Sequence, residues 1–241
     1  METDKNFEFL LELAQESTKE LLKIYHKKGD RYTSLIFPNK RDGNLRISEQ
    51  ELRFVLTAIN DKIFNNYYSF SVETPTEIEY TFSGIKKRSA STDLTFYLHN
   101  KKVINIELKA HNPSIKSITK DIEKLVTEPF NGAWIHILEN EDSGTIKTIF
   151  KKFRQSIKMF QPPKHPISFH ILILKTGTLI SRKGKDNDLV KTNLCDVFNI
   201  DYSGWKDLLP GKHQFSNGTL LDDDSTDEVD WQVDKFDINA L

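Results

Sequence analysis

Only one cysteine, Cys195, occurs in the 241 residues. That excludes an internal disulfide framework and any zinc site built from several cysteines. No apolar run approaches the ~18 residues of a membrane-crossing helix. The opening residues, METDKNFEF, are charged where a signal peptide has its apolar centre. No internal repeat is apparent. The expected setting is the cytoplasm, with no membrane contact.

Neither sign of charge dominates overall, since the net charge is −1. The average hides an asymmetry. Of 34 basic and 35 acidic residues, one and eight lie after Leu221, which leaves 33 basic, 27 acidic and a net of +6. A mildly basic body with an acidic end is compatible with nucleic acid as a partner. Charged residues at 29% and hydrophobic ones at 37% describe a globular chain long enough for a sizeable core.

What the chain does have is periodicity. Residues 5–27 carry apolar side chains at helical spacing (Phe7, Leu10, Leu11, Ala14, Leu21, Leu22, Tyr25). Residues 28–46 read as a loop, basic at Lys28, Arg31, Lys40 and Arg41. Ser48 opens a second helix with Leu52, Val55, Leu56, Ile59 and Ile63 as its buried stripe. Ser48 and Glu51 have capping-box spacing, so on helix chemistry alone Glu51 is a cap. Residues 67–73 and 76–82 alternate as two strands, with Pro75 in the break between them. After a hairpin, Asn112 and Pro113 are expected to cap and start a third helix. Its apolar stripe is Ile115, Ile118, Ile122, Leu125 and Val126, and Lys116, Lys120 and Lys124 recur every fourth residue. Residues 133–138 and 167–174 are apolar runs suited to buried strands, and residues 144–160 read as an amphipathic helix between them. The segment 182–185 (RKGK) reads as a basic turn.

This order predicts an α/β fold, a mixed central β-sheet flanked by helices. Residues 1–46 would be an N-terminal helix and loop packed on a core of residues 47–175. A C-terminal extension would cover 176–221, and 222–241 would be an acidic tail for which disorder is expected.

The hairpin, residues 91–110, carries the chemistry. Leu94, Phe96 and Leu98 share one face of its first strand, and Ile104, Ile106, Leu108 and Ala110 one face of its second. With both apolar sets on one side, opposed residues have numbers of equal parity. Asp93, Glu107 and Lys109 then share the other face, and a turn near Asn100 sets Asp93 across from Glu107. Two carboxylates suit a hard divalent cation, to which the Leu108 carbonyl would add an oxygen. An adjacent ammonium can orient an attacking water or stabilise charge developing on a phosphate. The bland alternative is a cross-strand charge pair on a solvated sheet face.

Asp93, followed after a strand-sized gap by Glu107-Leu108-Lys109, resembles the PD-(D/E)xK signature of the restriction-endonuclease-like nucleases. Thr92 stands where the written pattern has proline. The resemblance covers about residues 47–175 and implies a restriction-endonuclease-like core. It implies a Mg²⁺-dependent nuclease, with Mn²⁺ able to substitute, acting on nucleic acid with DNA favoured over RNA, in defence or repair. Asp93, Glu107 and Lys109 would be catalytic. A glutamate from the preceding helix would join the metal ligands, which implies Glu51, with Glu49 the alternative. Lys120 or Lys124, and His111 beside the motif, would touch substrate. Cutting both strands at one site would favour a homodimer. The competing expectation is an inactive module on the same fold that binds nucleic acid or a protein partner.

Overall fold

The computed structural model describes residues 2–65, 67–81, 88–140, 145, 148–149, 152–153, 155–156, 159–160, 165, 167–184, 213–216, 219–222 and 232–241. Among them, α1 (Glu2–Tyr25) and α2 (Glu49–Ile63) precede β1 (Ser69–Tyr80), β2 (Arg88–Leu98) and β3 (Lys101–Ala110). Then come α3 (Ile115–Thr127), β4 (Asn131–Leu138), β5 (Ile167–Ile173), β6 (Thr178–Gly184), β7 (His213–Ser216), β8 (Thr219–Asp222) and β9 (Gln232–Lys235). Among the described residues, seven strands make one sheet in the order β1-β2-β3-β4-β5-β6-β9, and β7 pairs with β8. The β3–β4 and β4–β5 pairs are parallel, whereas every other pair in the large sheet is antiparallel. The sheet is mixed, as the element order predicts. Of the expected helix over 144–160, the described positions 145, 148–149, 152–153 and 155–156 are helical.

Each central strand presents alternate side chains to two cores. Ile104, Ile106 and Leu108 of β3 join Ala133, Ile135 and Ile137 of β4 against α1 and α2. Trp134 of β4 and Phe169, Ile171 and Ile173 of β5 face the other way, onto Ile118, Ile122 and Leu125 of α3. All seven residues of β5 are buried, as parallel strands covered on both faces must be. Each such buried aliphatic side chain contributes about 1.5–3 kcal/mol.

Several local expectations are corrected. The two strands expected around Pro75 are one strand, β1, at the sheet edge. An edge strand needs no inward amide at every position, so proline is tolerated there. Its register with β2 shifts between Pro75 and Glu79. The Glu77 and Ile78 amides of that stretch donate to the buried Glu128 carboxylate at 3.1 and 3.0 Å. Helix α3 starts two residues later than expected, with Ser114 rather than Asn112 as its N-cap. Residues 182–184 are not a turn but the end of β6. Within the tail, β9 pairs with β6 from Thr178↔Lys235 to Ser181↔Gln232, and the Phe236 amide donates to the Gly177 carbonyl at 2.8 Å. The acidic run 223–230 lies outside the described residues. Among the described residues, no helix is long and apolar enough to cross a membrane.

Candidate active site

A two-residue turn, His99–Asn100, joins β2 to β3. Both residues have positive φ (49° and 62°), the backbone hand that a tight hairpin requires. Pairing continues to Leu94↔Ile106 and there it stops. Strand β2 runs on beside β1 through Thr74↔Thr92 and Pro75↔Ser91. The sheet therefore forks between β2 and β3, and Asp93 stands at the fork. Its Oδ2 accepts the Leu108 amide at 2.8 Å, so the side chain replaces a lost ladder bond. Its Oδ1 lies 3.4 Å from the Arg53 guanidinium, which also holds Glu73 at 2.8 Å.

On the α3 side of the fork, Glu107 and Lys109 are buried, with 1% and 6% of their surface exposed. They meet Asp121 and Lys124, three residues apart on α3. Lys109 Nζ is 2.7 Å from Asp121 Oδ2, and Lys124 Nζ lies 3.1 Å from Asp121 Oδ1 and 2.6 Å from Glu107 Oε2. Lys109 Nζ also donates to the Leu108 carbonyl at 2.7 Å, and Glu49 of α2 approaches it to 3.8 Å. Trp134 lines the same face, its ring centroid 6.0 Å from the Lys109 ammonium.

Burial and neighbouring charge shift four of these groups, Glu107, Lys109, Lys124 and Glu49. Desolvation, reinforced by the Asp121 carboxylate, pushes Glu107 well above the usual carboxylate range despite Lys124. Desolvation alone would lower both lysines. The surrounding carboxylates together outweigh it, Asp121 contributing most at Lys109 and Glu107 most at Lys124, which leaves both ammonium groups held more firmly than usual. Glu49 is raised by burial, with Lys109 opposing. Next to Lys109 in register, His136 is fully buried and lowered to about 4 by desolvation. Its Nε2 donates to the His111 carbonyl at 2.7 Å.

Of the residues expected from the sequence, Asp93, Glu107, Lys109, the Leu108 carbonyl and Lys124 come together. Glu51 does not join them. It pairs with Arg46 at 2.8 Å and with the Ser48 hydroxyl, at the start of α2. The helix turns Glu49, the alternative, toward Lys109 instead. Lys120 lines a separate groove of about 560 Å³ with Thr81, Ser114, Lys116 and Met159. His111 faces the segment before α2, its Nε2 donating to the Ile47 carbonyl at 2.6 Å. The spacing did not single out Arg53 and Asp121. Arg53 follows Glu49 by four and Asp121 precedes Lys124 by three, patterns equally typical of a solvated helix face.

Among the described residues, no group of three or more His, Cys, Asp or Glu side chains is disposed to hold a metal ion. A hard cation would have to draw on two carboxylates and a backbone oxygen. Such a set fits here on two counts. Glu107 Oε1 is buried and has no hydrogen-bond partner among the described residues. Charge is also out of balance. Glu49, Asp93, Glu107 and Asp121 face Lys109 and Lys124 while Arg53 and Glu73 cancel, a net of −2 with all groups ionised. One divalent cation would neutralise that.

The fold and site define an α/β protein with a seven-stranded mixed sheet and a buried charge network at a fork in it. Comparisons with family models, with curated proteins and with solved structures find no match for the chain.

Proposed function

We propose that this protein is a divalent-cation-dependent nuclease that hydrolyses phosphodiester bonds, with DNA the favoured substrate. The observation that carries the reading is the meeting of Asp93, Glu107 and Lys109 at the fork, with Glu107 Oε1 buried and unpartnered. The resemblance to the PD-(D/E)xK signature supports it, and so does the charge balance. Asp93, Glu107 Oε1 and the Leu108 carbonyl are the oxygens that would hold Mg²⁺ or Mn²⁺; Glu49 rather than Glu51 is the helix glutamate within reach. A bound divalent ion would supply charge stabilisation at the scissile phosphate and a more acidic water. Lys109 is the chain's own contribution. Its ammonium, kept charged and oriented by Asp121, presents a fixed positive group to charge developing on the phosphate.

The test is incubation of purified protein with plasmid, linear and single-stranded DNA and with RNA, each with Mg²⁺, Mn²⁺ or chelator. Cleavage should require the metal and fall about 10²–10³-fold in Lys109→Ala, the scale of losing one charge-stabilising group. No metal-dependent cleavage of any of the four substrates would overturn the reading.

One observation favours a second reading, an inactive module that binds nucleic acid or a protein partner. Both lysines are already paired with carboxylates, so each ammonium has a partner without a ligand. That reading predicts no metal uptake and unchanged nucleic-acid binding in Glu107→Gln.

A further inference from the structure

Lys124 is held in a way that a surface lysine never is. Its Nζ touches three oxygens, Glu107 Oε2 at 2.6 Å, the Ser91 carbonyl at 2.8 Å and Asp121 Oδ1 at 3.1 Å. The side chain is 4% exposed. Two carboxylates and a backbone carbonyl around one point are the donor set of a hard cation, and here an ammonium carried on α3 fills it. The two oxygens of Glu107 are thereby divided: Oε2 serves Lys124, while Oε1 is buried without a partner among the described residues.

We propose that Lys124 is a tethered cation that occupies one of two cation positions around Glu107, so that the site admits a single divalent ion, on the Oε1 side. The single-ion half of this inference rests on the nuclease reading; the occupation by Lys124 does not. Charge supports the count. With all groups ionised and Lys124 in place the network carries −2, which one divalent ion cancels. On the same footing, removing Lys124 takes the net charge to −3 and leaves three oxygens without the cation they now share. The position that Lys124 vacates then becomes a second site for a hard divalent ion. Its ligands would be Glu107 Oε2, Asp121 Oδ1 and the Ser91 carbonyl.

The experiment counts Mn²⁺ bound to the full chain at neutral pH, by calorimetry and by the spectrum of the free ion. Wild type should bind one ion, and Lys124→Ala and Lys124→Gln two. Variants that bind the wild-type number with the wild-type affinity, or a wild type that binds two, would overturn the proposal. A wild type that binds none while the variants bind one upholds Lys124 as the resident cation and sinks the nuclease reading instead. Should the variants fail to fold, the wild type still decides. The Nζ resonance of Lys124, shielded from exchange by burial, should persist unchanged in character through a Mg²⁺ titration. Its collapse to a free-lysine position would mean that the metal displaces it, which overturns the proposal.

Discussion

Strand β3 has two faces built on opposite principles, although they share one backbone. Ile104, Ile106 and Leu108 point into an apolar core under α1 and α2, where any well-fitting hydrocarbon serves. Asn105, Glu107 and Lys109 point the other way and are almost as deeply buried. There each group survives only by its partners: Asn105 Oδ1 accepts from Thr95 at 3.1 Å, Glu107 meets Lys124, and Lys109 meets Asp121. Burying an ion pair returns little or no net stability, because desolvation consumes most of the attraction. The apolar face therefore holds the fold together. The charged face is maintained at the fold's expense.

The largest stability effect should come from the apolar side. Ile106→Ala removes most of a fully buried side chain and leaves a cavity, at a cost of about 2–5 kcal/mol. Urea unfolding measures it. A loss under about 1 kcal/mol would mean that α1 and α2 do not bear on β3 as described.

The next effect probes the charged face through pH. Burial holds His136 neutral, with its pKa lowered from 6.5 to about 4. The unfolded chain binds its proton more readily, so the stability gained is present above pH 6.5 and lost as pH falls toward 4. At about 1.4 kcal/mol per unit the loss is on the order of 3 kcal/mol. His170, lowered to about 3 by burial alone, adds a second such loss further down. Thermal melts of His136→Gln should show a flatter acid limb than the wild type, and an identical limb would refute the assignment. Glu107 acts in the opposite direction. Its folded pKa is raised, so wild type should lose stability relative to Glu107→Gln as pH rises from about 4.5 through the folded value.

How much of this was legible in advance follows from the range of each interaction. The apolar alternation at Leu94, Phe96, Ile104, Ile106 and Leu108 is a two-residue pattern, and parity alone put Asp93, Glu107 and Lys109 on one face. Asp121 and Arg53 are not marked by the sequence, because the contacts that tie them to the hairpin, with Lys109 and Asp93, span 12 and 40 residues, and their local spacings are those of any helix face. Strand β9 escaped for the same reason: four residues after an acidic run show no periodicity, and only pairing with β6 makes them a strand. Asn112-Pro113 and Ser114 are both acceptable helix starts by local chemistry, and the chain uses Ser114, after His111 at φ 56° with its ring on the Ile47 carbonyl.

The smallest effects distinguish two glutamates of α2 that the sequence could not separate. Two residues along a helix is a turn of about 200°, so Glu49 and Glu51 cannot serve the same site. Glu51 is 6% exposed and bonded to Ser48 and Arg46; Glu49 lies against Lys109 and is raised by burial. Glu51→Gln should therefore lower stability by about 1 kcal/mol, the scale of a lost cap interaction, and leave any cleavage rate near wild type. Glu49→Gln should do the reverse. It removes a charge that stabilises the Lys109 ammonium, so cleavage should weaken about tenfold, the effect of 1.4 kcal/mol, while the melt barely moves. Paired melts and rates on the two variants read the difference directly. If Glu51→Gln proves the one that loses activity, the cap at Ser48 must open on binding substrate, and the charged face reaches further across α2 than the resting structure places it.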